Sequence, residues 1–174
     1  MAEAPDMVVL ERDRDLVGRR HEVWIRRALF ALIPAISILA LLNLFGQRPT
    51  DSHAASPAAA LELHAPTRVR SGLLYSARFT IEARQRIANA VLVLDSGWFE
   101  GMTVNTIEPS PQEETSADGR PSFQLGSIEA GTRHVLHMDF QVNPTNVGQR
   151  PQTVRLFDGA RELLTLDRTI TVFP

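Results

Sequence analysis

YSARFTIEAR, Tyr75 to Arg84, carries the clearest strand pattern in the chain. Tyr75, Ala77, Phe79, Ile81 and Ala83 fall on one side of an extended chain, and Ser76, Arg78, Thr80, Glu82 and Arg84 on the other. That two-residue period is the pattern of a strand with one buried and one wet face. Upstream, Leu61 and Leu63 alternate with Glu62 and His64 before Pro66. Downstream, Ala90 to Leu94 (AVLVL) is apolar on both faces, as a central strand requires, and stops at Asp95, Ser96 and Gly97.

Met102 to Glu108 predicts a further strand, followed by a polar loop, PSPQEETSADGRPS, with a turn signal at Asp118 and Gly119. Phe123 to Leu125 resumes the sheet, and Gly126 to Thr132 reads as a turn. Beyond it Leu136, Met138, Phe140 and Val142 alternate with His137, Asp139 and Gln141. A last hairpin turns at Asp158 and Gly159, with Val154 and Leu156 inward on one arm and Leu164, Leu166, Ile170 and Val172 on the other. Arg168 shares that inward parity, which calls for a bulge, an edge position or a carboxylate partner. Seven or eight antiparallel strands with no helical period after Phe45 predict a mainly β, two-sheet sandwich over residues 61–174.

The N-terminal part follows another rule. Ala28 to Phe45 (ALFALIPAISILALLNLF) holds eighteen residues without a charge, about 27 Å as a helix, close to the hydrocarbon thickness of a bilayer. Residues 28–46 are expected to form one transmembrane helix, after an Arg-rich cytoplasmic tail at 1–27 and before an Ala/Pro/Ser stalk at 47–60. Four arginines lie between Arg19 and Arg27 and only Arg48 lies close on the far side, so the positive-inside rule places the N-terminus in the cytoplasm and the β domain outside. Trp24, with Arg26 and Arg27, is the expected interfacial anchor. Ala31 and Ala35 at small-xxx-small spacing, with Asn43, are candidates for packing against another membrane helix or a second copy. The alternative is a cleaved signal peptide, with the Ala-rich sequence near Ala54 and Ala55 as the cut. The length of the apolar run and of the tail before it favours an uncleaved anchor.

Composition closes off several functions. All 18 basic residues are Arg, a bias in keeping with a GC-rich bacterial genome, and the net charge of −2 leaves no basic footprint for nucleic acid. There is no Cys, so disulfides, thiolate metal sites and Cys nucleophiles are excluded. His134 and His137, three apart on a strand, point to opposite faces and do not share a metal; His21, His53 and His64 are scattered. Glu108, Glu113, Glu114 and Asp118 lack calcium-loop spacing, and no nucleophile elbow, phosphate loop or HExxH run occurs. Asp95 beside Ser96 reads as a turn. No catalytic, metal or cofactor residue and no small-molecule substrate is expected.

Gly97-Trp98-Phe99-Glu100-Gly101 sets two large aromatics between glycines. Either a ring caps the open end of the core, or Trp98 and Phe99 form an exposed pair that docks on a partner or dips into a membrane leaflet.

The order of pieces over Leu61 to Phe173 resembles the Ig-like domains of bacterial surface proteins that include the CARDB-type adhesion-related modules. The turn Arg70-Ser71-Gly72 precedes the long strand, IANAVLVLDS follows, and the LGSIEAG turn at Leu125 to Gly131, with Ile128 in its apolar position, feeds HVLHMDFQV. The resemblance implies an Ig-like sandwich that acts as a spacer or binding module without catalytic residues. The expectation is thus a single-pass inner-membrane protein serving as a non-catalytic accessory or adaptor subunit of an envelope assembly. The alternative is a secreted adhesion or ligand-binding module.

Overall fold

The computed structural model describes residues 20–42 and 46–174. The chain divides into two compact units, 1–45 and 46–174. The remaining tail residues and Asn43 lie outside the described residues.

In the first unit, α1 (Arg20–Leu41) is 22 residues long, about 33 Å at 1.5 Å per residue. Its length and composition suffice to cross a membrane, a test that a signal sequence also passes. It starts eight residues before the expected span, because Arg20 to Arg27 holds no helix breaker. Pro34 lacks the N–H that would continue the ladder, and Ser37 Oγ donates to the Ile33 carbonyl at 2.9 Å. The Arg27 guanidinium lies 5.4 Å from the centroid of the Trp24 ring.

The second unit is an antiparallel β-sandwich. Its strands are β1 (Pro49–Ala55), β2 (Ala59–Pro66), β3 (Arg68–Arg70), β4 (Leu74–Ala83), β5 (Ile87–Leu94), β6 (Met102–Glu108) and β7 (Glu113–Ala117). They continue with β8 (Arg120–Ile128), β9 (Arg133–Val142), β10 (Gly148–Pro151), β11 (Val154–Asp158), β12 (Arg161–Leu166) and β13 (Thr169–Phe173). Two five-stranded sheets, β1-β2-β4-β9-β6 and β12-β11-β5-β8-β7, are joined by a three-stranded one, β10-β13-β3. Every pairing is antiparallel except β13 with β3.

The alternation read from Tyr75 to Ala83 holds residue by residue: all five apolar positions are buried. They meet Leu136, Met138 and Phe140 across the β4–β9 ladder, and Leu61 and Leu63 across β2. Leu92 and Leu94 of β5 and Val154 and Leu156 of β11 supply the opposing sheet, with β5 third of five as a doubly apolar strand should be.

Five segments form strands that their composition concealed. The expected stalk at 47–60 is the edge strand β1 and the start of β2, paired in register from Pro49↔Pro66 to Ala55↔Ala60. Its Ala and Ser residues suit a half-exposed edge as well as a linker, and Ala54 packs on the core. The polar loop holds β7, closed onto β8 by a turn in which Asp118 (φ 53°) and Gly119 (φ 71°) are both left-handed. Within the expected turn 126–132, the chain stays in β8 as far as Ile128. β3 and β10 are too short to show a period, and β13 leaves the β11–β12 hairpin to join them.

Arg168, at that crossing, has none of the three expected solutions. Its Nη2 donates to the carbonyls of Pro66 (2.7 Å) and Ala65 (3.3 Å), and its guanidinium lies 5.9 Å from the Trp98 ring centroid. Burial lowers its pKa.

Candidate functional site at the open flank of the sandwich

The 3-10 turn Ser96–Trp98 follows β5 and sends the chain from one sheet to the other. Gly97 is held so close to β10 that a Cβ there would stand 1.9 Å from the Pro151 carbonyl oxygen. This contact turns the next side chain inward. Trp98 is wholly buried, with ring centroids 5.4 Å from both Phe79 and Phe140. The expectation of an exposed Trp98–Phe99 pair therefore fails for Trp98, which caps the core instead. Phe99 is half-buried, 6.2 Å from Phe140, and its free side reaches the surface.

Beneath Trp98 lies a buried polar set. Gln152 Nε2 donates to Tyr75 Oη at 3.2 Å, and Tyr75 donates to the Met102 sulfur at 3.2 Å. Burial raises the Tyr75 pKa, against the opposing pull of Gln152 and Arg168, so the phenol stays neutral. The set fixes Met102, one of the residues that floor the groove described next.

The sandwich differs at its two flanks. On one, β1 packs against β12. On the other, edge strands β6 and β7 leave a groove of about 560 Å³, floored by Phe99, Met102 and Phe123. Val104 and Ile107 form the β6 wall, and Glu114 and Ser116 the β7 wall. Glu114 pairs across from buried Phe123, so strand alternation points its carboxylate to the groove side. Both edges lack a second neighbour. β6 is broken by a bulge between Val104 and Thr106, while β7 runs in unbroken register with β8.

Two contacts hold these walls. Arg120 Nε meets Asp95 Oδ1 at 2.9 Å at the β7–β8 turn, so Asp95 is an anchoring partner as well as a turn residue. At the other end of β7, Gln112 N donates to the Gln124 carbonyl at 2.8 Å. Its side chain lies over Gly126 (φ 82°), where a Cβ would stand 2.4 Å from Gln112 Nε2.

The groove is chemically plain: an apolar floor, two exposed backbone edges and, among its lining residues, the single carboxylate of Glu114. Its shape and lining suit binding. Among the described residues no group of three His, Asp or Glu is placed to hold a metal ion. His137 faces outward, and His134, inward opposite Ile81, is half-buried, with its pKa lowered by burial. On α1, Trp24 is exposed, Ala31 and Ala35 lie one turn apart on the exposed surface, and Arg26 and Arg27 follow Trp24 by two and three residues. The groove itself was absent from the sequence reading. Its one signal was the Asp118-Gly119 turn between EETSA and RPSFQ, two five-residue arms of a hairpin.

No family model and no curated protein matches the chain. Among solved structures, the chain is similar to the solution structure of CaCohA2 from Clostridium acetobutylicum, with 14% identity and a TM-score of 0.44 over 68% of this chain and 92% of that one.

Proposed function

We propose that the chain is a membrane-anchored protein-interaction module, a non-catalytic accessory or adaptor subunit of a bacterial envelope assembly. In this reading α1 is an uncleaved signal-anchor with its N-terminus in the cytoplasm, and the sandwich stands outside. The observation that carries it is the open flank: an apolar groove between two unpartnered edge strands, on a domain closed at its other flank. The resemblance to CARDB-type surface modules points the same way and is part of the proposal. A signal-peptidase cut near Ala54 is disfavoured by structure, because it would sever β1 within its ladder to β2. Phe99 keeps its place as a partner contact, now in company with Val104 and Ile107. Helix packing through Ala31, Ala35 and Asn43 is the proposed means of association within the bilayer.

The test is mild detergent extraction of the C-terminally tagged chain, with intact mass and retained proteins read by mass spectrometry. A full-length chain holding a stoichiometric protein that Ile107→Asp releases is the expected result. A shortened chain, or a partner indifferent to Ile107→Asp, would overturn the reading.

A further inference from the structure

One end of the sandwich is built unlike the rest of its surface. β2 ends there at Pro66, β3 carries the chain outward to Arg70, and a loop returns it to β4. The loop is fixed by Ser71 N to the Phe173 carbonyl (2.7 Å), Gly72 N to the Val142 carbonyl (3.0 Å) and Val142 N to the Leu73 carbonyl (3.0 Å). Gly72, at φ 76°, makes the turn possible. These bonds hold the tip rigid, yet its apolar side chains face out: Leu73 is 48% exposed, Leu74 60%, and Val147 in the next loop 47%. They are the large apolar side chains of this domain left most open to solvent among the described residues. A stability role does not explain them, since burying them would serve the fold better.

Charge separates this tip from the open flank. The segments Arg68–Leu74 and Asn143–Gly148 contain Arg68 and Arg70 and no acidic residue, and both arginines are exposed. The strands and turn about the groove carry Glu108, Glu113, Glu114 and Asp118 against Arg120, which pairs with Asp95. Apolar side chains at a loop apex with arginines beside them match the border between acyl chains and anionic headgroups. Leucine and valine enter the boundary layer while guanidinium groups meet phosphate. The chain also enters the domain here: Gly46 is its first residue and Pro49 pairs with Pro66 at this end. In sequence, the apolar helix ends only a few residues earlier.

We infer that the segments Arg68–Leu74 and Asn143–Gly148 form a lipid-binding tip, which rests the sandwich on an anionic bilayer surface and leaves the groove at the open flank free for a protein. This rests on the membrane-anchored reading but not on the groove.

The chain has no cysteine, so a single environment-sensitive nitrobenzoxadiazole label can be placed at will. The experiment uses the full chain reconstituted in vesicles of phosphatidylcholine with about one-third phosphatidylglycerol, labelled at Leu73→Cys, Val147→Cys or, at the opposite end, Ala130→Cys. Flotation of the vesicles reports anchoring by itself. The expected result is blue-shifted emission at positions 73 and 147, protected from an aqueous quencher at least tenfold relative to position 130. Arg68→Glu with Arg70→Glu removes the protection, since each arginine near such a surface changes partition about fivefold. Chain that floats but is quenched equally at 73, 147 and 130 would overturn the tip while sparing the anchor. Protection seen in native membranes and absent from pure lipid would also overturn it and assign the tip to a protein. Chain that fails to float overturns the anchor itself.

Discussion

Trp98 links the local chain to the whole core. Its ring fills the space between Phe79 and Phe140 and underlies the Arg168 guanidinium, so truncation removes a large buried surface and uncovers a buried charge. Trp98→Ala is expected to cost about 3–5 kcal/mol, read as a lowered denaturation midpoint in chemical unfolding. His134 makes a second prediction. Burial holds its imidazole below the usual 6.5, so between the two values the unfolded chain binds more protons than the folded one. Its contribution is complete above pH 6.5 and is lost as pH falls towards the lowered value. His134→Met should flatten the stability curve just below pH 6.5, where folded and unfolded imidazoles differ in protonation, while the loss at lower pH, where carboxylates take up protons, persists. There the unfolded chain's Asp51 takes up a proton around its ordinary 3.8, while the folded carboxylate, held lower chiefly by its hydrogen bond with His64, stays ionised until the pH falls further.

At the scale of elements, Gly97 and Gly126 are places where the backbone leaves no room. Gly97→Ala drives a methyl into the Pro151 carbonyl, which must move β10 or the 3-10 turn. We expect a loss of about 2 kcal/mol or more, measured by thermal unfolding. Gly126→Ala combines a left-handed backbone with a Gln112 clash, and should loosen β7 and so the groove wall more than the core, visible as faster amide exchange confined to 112–124.

Legibility followed the same divide. Strands with one buried face, such as β4 and β9, could be read directly because burial imposes a period of two on their composition. β1 and β7 could not. An edge strand that buries little is free to use Ala, Ser, Thr and Glu, which are also what linkers and loops contain, so TDSHAA passed for a stalk and EETSA for a loop. The groove inherits that obscurity, as it lies between edges that only topology brings together. Between the two readings of Trp98, capping holds for a local reason: flanking glycines also suit an exposed loop, but here Gly97 is small because Pro151 abuts it.

Across the whole molecule, three features stand on separate parts of the chain: an apolar helix, a tip carrying arginines and leucines, and an apolar groove. Protein binding at the open flank can be read by site-specific photo-crosslinking in living cells. A photo-reactive residue would replace Ser116 in the groove wall or, as the comparison, Glu162 on β12 at the closed flank. One discrete crosslinked protein is expected from Ser116 and none from Glu162. Equal crosslinking from both flanks, or from neither, would contradict it.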